Sequence, residues 1–260
     1  MSEIQHLSPS SISMYLRCGR QFWFRYIKGL KIPPAGVMVL GSAYHDGLAA
    51  RFNHQKTYES FPDPELAITT FADTFERITR DRMLEEEDGE GYEFDEVAWE
   101  EEAGVLKDTG VGLLRTYQST IAPHITPVLV EEPDALVIKT DEGIEIPIKT
   151  VIDLTTETRT VDHKVKKKAF SELELSQSLQ ATIYPMITEL PLEFHVAKKT
   201  KVPQIEVQET HRVYADQLWF IDQAAKVWKA IRAGIFVPNN QSWACSPQWC
   251  GYYARCQGGA

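Results

Sequence analysis

Apolar positions along this chain recur with a helical period in the first half and with a period near two in the second. From Ser8, a natural cap, and Pro9, a natural first position, residues Ile12, Tyr15, Leu16, Phe22 and Tyr26 mark a helical stretch to Ile27. Pro33 and Pro34 interrupt it. Gly41-Ser42-Ala43-Tyr44-His45 then opens a second predicted helix, running to about residue 53. Pro62 and Pro64 precede a third over residues 65–84. A fourth is predicted over 95–121, weakened by Gly104, Gly110 and Gly112. Residues 126–132, 135–140, 144–154 and 158–163 read as strands, with Asp141-Glu142-Gly143 as the turn that sends the third back antiparallel. A helix over 173–189, strands over 194–198 and 204–210, and an amphipathic helix over 214–233 follow. Helices first, then a mixed β-sheet with helices packed on it, make an α/β fold. One domain is expected over residues 1–260: a helical part over about 8–122, a mixed-sheet core over about 126–233 and a Cys-rich tail over 234–260.

Composition changes this picture little. Of 260 residues, 43% are apolar and 25% charged, as in ordinary globular proteins. No apolar run approaches the roughly 20 residues that span a bilayer, so no membrane is expected. The first residues show neither a basic segment nor an apolar one, and an intracellular, cytoplasmic protein is expected. The net charge of −10 argues against a broad electrostatic grip on nucleic acid. Much of that charge, however, sits in one acidic run over residues 84–102, which reads as a solvated face and loop. Cations gather elsewhere, at Arg17, Arg20, Arg25, Lys28 and Lys31, at 164–168, and at Lys198, Lys199 and Lys201. A groove can be locally positive on an acidic protein.

The chemistry centres on Val151-Ile152-Asp153 and Val161-Asp162-His163-Lys164. Asp162 and Lys164 lie two apart on a strand and share a face, and a hairpin would bring Asp153 alongside. Two close carboxylates repel, and a hard divalent cation relieves that cost. A neighbouring lysine can orient or deprotonate a water and stabilise charge on a phosphate. The plainer alternative is a hairpin end with exposed charges. Glu131, at a predicted strand end, either faces the same place or only marks that end, with Glu132 as its alternate. Cys245, Cys250 and Cys256 cluster in the tail, with Cys18 more than two hundred residues away. Such thiolates suit zinc or an iron–sulfur cluster, although the gaps exceed the C-x2-C of zinc knuckles and the tail has no His. Four free, partly buried cysteines are the alternative.

Taken in order, these motifs resemble the PD-(D/E)xK nuclease superfamily, in its branch of RecB-like exonucleases and CRISPR-associated nucleases. The resemblance runs almost end to end. Leu7-Ser8-Pro9-Ser10-Ser11-Ile12 with Tyr15, Cys18 and Phe22 looks like that branch's first helix, and Gly41 to His45 is similar to its G-x-x-x-H motif. Val151-Ile152-Asp153 matches its G-x-x-D strand, with Thr150 where glycine is usual. Val161 to Lys164 matches its D/E-x-K strand, and Gln180-Ala181-Thr182-Ile183-Tyr184 its Q-x-x-x-Y helix. The resemblance implies a restriction-endonuclease-like core. It implies Mg²⁺ or Mn²⁺ held by His45, Asp153, Asp162 and the carbonyl of His163. Lys164 would stand at the reacting water, with Gln180 and Tyr184 lining the site beside the DNA backbone. It further implies that Cys18, Cys245, Cys250 and Cys256 hold a 4Fe–4S cluster stapling the N- and C-terminal regions.

The expected function is therefore metal-dependent DNA hydrolysis, as an exonuclease on single strands or DNA ends, in recombination, repair, phage DNA processing or CRISPR adaptation. Trp23, Phe24 and Tyr26 are candidates for stacking on unpaired bases, with core packing as the competing use of at least two of them. No G-x-x-x-x-G-K-[ST] motif is present, so unwinding would need a helicase, or a recombination or CRISPR protein, as partner. A non-catalytic iron–sulfur DNA-binding or adaptor module of the same fold is the alternative. An electron-transfer protein is disfavoured by the remoteness of Cys18.

Overall fold

The computed structural model describes residues 4–32, 34–84 and 99–257, the side chains of 81–84 excepted. Ser8 caps α1 (Pro9–Arg17) in a reciprocal arrangement with Ser11, each side chain accepting the other's backbone N–H. After α2 (Gly19–Phe22) and a π-helical turn (Trp23–Ile27) come three long helices, α3 (Gly36–Tyr58), α4 (Glu65–Leu84) and α5 (Ala103–Thr120). The sheet then forms from β1 (Leu129–Lys139), β2 (Glu145–Thr155), β3 (Thr160–Lys166), β4 (Leu192–Lys198) and β5 (Gln204–Thr210), in that spatial order. Its pairs are antiparallel except β3–β4, where α6 (Glu172–Gln177) and α7 (Leu179–Thr188) carry the crossover that a parallel pair requires. Last come α8 (Tyr214–Arg232), an irregular tail and α9 (Tyr253–Gln257).

Two apolar cores sandwich the sheet. On one side α1, α7 and α8 pack through Ile12, Ile183, Phe220 and Trp228 against Ile146, Ile148, Phe194 and Val196. On the other, α3, α4 and α5 pack through Leu48, Phe71 and Leu114 against Val130, Leu154, Val161 and Ala197. The chain is thus a mixed five-stranded α/β sheet with helices on both faces, consistent with a restriction-endonuclease-like fold.

Several expectations change. The two strands predicted over 126–132 and 135–140 are one strand, β1, running through Pro133, which pairs with Val151. β1 is an edge strand, so no neighbour needs the N–H that proline lacks. The helix predicted over 41–53 runs over Gly36–Tyr58, because buried residues such as Val39, Leu40, Ala43 and Tyr44 hold it despite its glycines. The helix predicted over 173–189 is broken at Ser178, whose hydroxyl caps α7 by accepting the N–H of Ala181. Of the helix predicted over 95–121, residues 95–98 lie outside the described residues, and α5 begins at Ala103. The acidic run likewise falls largely outside them. Among the described residues no helix is long and apolar enough to cross a membrane.

Candidate active site

β2 and β3 pair only at Leu154↔Val161 and Thr155↔Thr160, and then part. Leu7 occupies β2's vacated edge, donating its N–H to the Pro147 carbonyl and accepting that of Lys149. At the fork, the Asp153 carboxylate takes the place of a ladder acceptor: Oδ2 accepts the backbone N–H of His163 at 2.7 Å. Extending the two registers by one step sets Glu131, Asp153 and Asp162 in a row across β1, β2 and β3. Glu131 has left-handed backbone, φ 49. That conformation costs a non-glycine residue on the order of 1–3 kcal/mol and persists only where its surroundings enforce it, often at a functional site.

Four further side chains converge here. From α3, His45 Nδ1 lies 3.3 Å from Asp153 Oδ2 and 3.8 Å from Glu131 Oε1. α3 is seated closely on α4 by Gly47, where a Cβ would come within 2.7 Å of the Ala67 carbonyl oxygen. Lys164 forms an ion pair with Asp162 Oδ2. From α7, Gln180 Nε2 donates to Asp162 Oδ1 at 3.0 Å and lies 2.8 Å from the Tyr184 hydroxyl, which in turn donates to the Val151 carbonyl. Tyr184 is buried and touches Asp162 through Gln180.

The His163 ring extends from this group toward α3 and α5. Its Nε2 is 3.0 Å from the Tyr117 hydroxyl, which is 2.7 Å from His195 Nδ1, and its ring stacks on Phe52. His195 Nε2 continues to Glu193, which pairs with Arg159. His163 meets the fork through its backbone N–H and, at 3.8 Å from Asp153 Oδ2, through its ring Nδ1. Of the two readings left open for Glu131, the structure sets it at the fork, beside Asp153 and His45. The signal was present: a turn centred on Glu142 sets residue 131 opposite residue 153. Nothing in the sequence marks Tyr117 or His195.

Three carboxylates thus crowd against two cations. Burial, reinforced by the Asp153 charge, raises the Asp162 carboxyl despite the pull of Lys164. Asp153 is held below the usual carboxylate range: burial opposes ionisation, but His45, His163 and Lys164 outweigh it. Burial also works against the His45 imidazolium, yet Asp153, Glu131 and Asp162 lift it to about 10. Lys164 is likewise raised, burial being outweighed by Asp162 and Asp153, so it stays an ammonium. Beside Lys164, Gln180 and Tyr184 opens a cleft of about 1130 Å³, also lined by Ser10, Ser13, Arg17 and Lys149.

This geometry agrees with comparison to known proteins. The sequence pattern of the PD-(D/E)XK nuclease superfamily matches residues 6–257. The chain belongs to that superfamily. No curated protein matches it. Among solved structures, one from Eubacterium rectale described as a candidate exonuclease is similar in fold, with 10% identity and a TM-score of 0.59 over 98% of this chain and 88% of that one. A second, SSO0001, has 10% identity and a TM-score of 0.44 over 100% of this chain and 89% of that one.

PD-(D/E)XK nucleases cut phosphodiesters of DNA with divalent metals, and the residues present fit such an ion. His45, Glu131 and Asp153 offer ligand atoms all within 4.8 Å of one another, the sole such trio among the described residues. Asp162 Oδ2 is buried and, although Lys164 lies beside it, accepts no hydrogen bond of good geometry. Carboxylates with one imidazole suit Mg²⁺ or Mn²⁺.

The four cysteines are free and partly buried, and all line one cavity between α1–α2 and the tail. No three of their sulfurs come as close as the ligand atoms of that trio. A single zinc ion, at about 2.3 Å from each sulfur, would require such closeness. Of the candidate stacking rings, Phe24 is buried against Tyr252 and Tyr26 packs on Phe22. Trp23 lies under Arg20 and Lys28.

Proposed function

We propose that this nuclease is an exonuclease of the RecB-like and CRISPR-associated branch, acting on single-stranded DNA or DNA ends. The observation that carries the proposal is the fork between β2 and β3, where Glu131, Asp153, Asp162, His45 and Lys164 meet at the mouth of a cleft with cationic walls. Asp153, Asp162, His45 and the His163 carbonyl are the proposed metal ligands, joined by Glu131. A bound divalent cation supplies Lewis-acid polarisation of the phosphate and acidifies a water. Lys164, kept charged by its two aspartates, orients that water and offsets charge on the phosphate rather than taking a proton. Gln180 fixes the Asp162 carboxylate, and Tyr184 fixes Gln180. The action on ends is supported by the motif order and by the description of the Eubacterium rectale protein.

The proposal extends to organisation. Residues 1–260 form one domain, with Cys18, Cys245, Cys250 and Cys256 holding a 4Fe–4S cluster as a staple. Support comes from the shared cavity and from the Asn239 N–H, which donates to Cys18 Sγ at 3.4 Å.

The test uses protein purified without oxygen and supplied with Mn²⁺, on end-labelled single-stranded, duplex and circular DNA. Linear substrates should be shortened from their ends and circles spared. Asp162→Ala and Lys164→Ala should each lower the rate about 100-fold or more with an unchanged circular-dichroism spectrum. Cutting of circles would refute end dependence. Inert protein with an intact cluster would refute the enzyme, and a colourless preparation containing zinc would refute the cluster.

A further inference from the structure

The protein's charge is segregated in a way that its total of −10 conceals. No Asp or Glu occurs between residues 4 and 45, nor between 223 and 260, although the chain holds 37 of them. These two segments, from opposite ends of the sequence, fold against each other. The Tyr15 hydroxyl donates to the Ile235 carbonyl at 2.6 Å and the Tyr252 hydroxyl to the Leu30 carbonyl at 2.7 Å. Phe22 stacks on Phe236, and the Asn239 amide donates to the Arg17 carbonyl. The result is a lobe whose charged side chains are all cations. Arg17, Arg20, Arg25, Lys28, Lys31 and Arg255 belong to it, and none of them pairs with a carboxylate among the described residues.

On this lobe the tail presents two tryptophans to solvent. Trp243 is 73% exposed and Trp249 54%, and their rings meet edge to face with centroids 5.9 Å apart. Burying neither, the fold gains little from them. Trp243 directly follows a short turn, Ser242 N–H to Asn239 carbonyl, that starts at the residue bonded to Arg17 and Cys18, and Trp249 closes a second turn by donating its N–H to the Ser246 carbonyl. Arg17 is also part of the cleft wall that includes Lys149, Lys164 and Gln180. Ser10, Ser13 and Arg17, on one face of α1, make that wall continuous.

We propose that Trp243 and Trp249 form a stacking platform for unpaired bases, on a cationic lobe that leads the strand through Arg17 into the cleft. This rests on the nuclease reading and names its substrate as single-stranded nucleic acid. Every base has a π-face, so a pair of exposed rings grips a strand without regard to sequence, while the cations hold its phosphates. Paired bases are already stacked and offer the rings nothing but an end. An acidic protein partner would satisfy the cations but not the requirement for bases, and that separates the two.

The experiment measures binding, not cleavage, so it succeeds or fails apart from catalysis. Fluorescein-labelled oligothymidylate, an abasic oligomer of equal length and a blunt duplex are titrated with full-length, anaerobically purified protein in EDTA, by anisotropy and by quenching of tryptophan emission. The protein should bind oligothymidylate more tightly than the abasic strand and be quenched by it. Trp243→Ala/Trp249→Ala should weaken oligothymidylate binding about 10- to 100-fold and abolish most of the quenching, leaving abasic binding unchanged. Trp243→Phe/Trp249→Phe should retain most of the affinity. Arg17→Ala/Arg20→Ala should weaken both strands and flatten the salt dependence by about two ions. Equal affinity for based and abasic strands, or a double alanine variant that binds oligothymidylate like the parent, overturns the platform.

Discussion

At the residue scale the site is a balance of protons held in place of a metal. His45 is lifted to about 10, so its contribution to stability is full below its ordinary value of about 6.5 and is lost as pH rises toward 10. Asp162 is raised to about 6, so its contribution is full below about 4 and is lost as pH rises through 6. Asp153 works oppositely: held low, it adds stability above about 4 that disappears in stronger acid. Metal-free protein should therefore melt at progressively lower temperature between pH 5 and pH 9. A divalent cation takes the place of both protons, so the rise in Tm on adding Mn²⁺ should grow across the same range. Thermal melts in EDTA and in saturating Mn²⁺ measure this. His45→Asn should flatten the upper part of the EDTA curve, and a metal-induced shift independent of pH would contradict the assignment.

At the element scale, the fork depends on how α3 is seated, because α3 alone brings His45 across the sheet. Gly47 sits two residues beyond it, against the Ala67 carbonyl of α4, with Leu114 and Phe71 also close. Gly47→Ala would force two helices apart against a backbone atom, costing about 1–3 kcal/mol, and should lower Mn²⁺ affinity through displacement of His45. Chemical denaturation and metal titration should move together. Unchanged metal affinity at reduced stability would mean that α3 moves without its histidine. Such close approaches are invisible in sequence, which is why Gly110, packed against Phe71, counts there only as a weak point in a helix. What sequence does carry is local. β5 and α4 fall at their predicted bounds because turn residues and prolines frame them. Asp153, Asp162 and Lys164 are legible because alternation and one turn fix their faces. Pro133 and Ser178 are misread because strand-edge position and a cap within an apolar stripe depend on neighbours far along the chain. Glu131 needs a register, counted from the turn at Glu142, and its left-handed backbone has no signature at all.

At the scale of the molecule, the two chain ends make one lobe, and the cysteines sit at its seam. Hydrogen bonds from Tyr15, Asn239 and Tyr252 and the Phe22–Phe236 and Phe24–Tyr252 stacks join the seam without them. Those contacts are few, and the tail is otherwise irregular, with prolines and exposed rings. The two cores on either face of the sheet draw on almost none of it, Phe236 lying only at the margin of one. Loss of a cluster should therefore loosen the lobe before it loosens the sheet. In a Cys250→Ser variant, amide exchange should accelerate in residues 235–257 and in α2 and the π-helical turn, while β3 and β4 keep their protection. The abasic strand should also bind less tightly, because the cations of α1 and α2 lose the surface that sets them. Hydrolysis of a small chromogenic phosphodiester, which reaches the fork without the lobe, should persist. If β3 and β4 lose protection as well, the staple holds the whole fold. If exchange is unchanged throughout, the four thiols bind nothing and the aromatic seam alone closes the molecule.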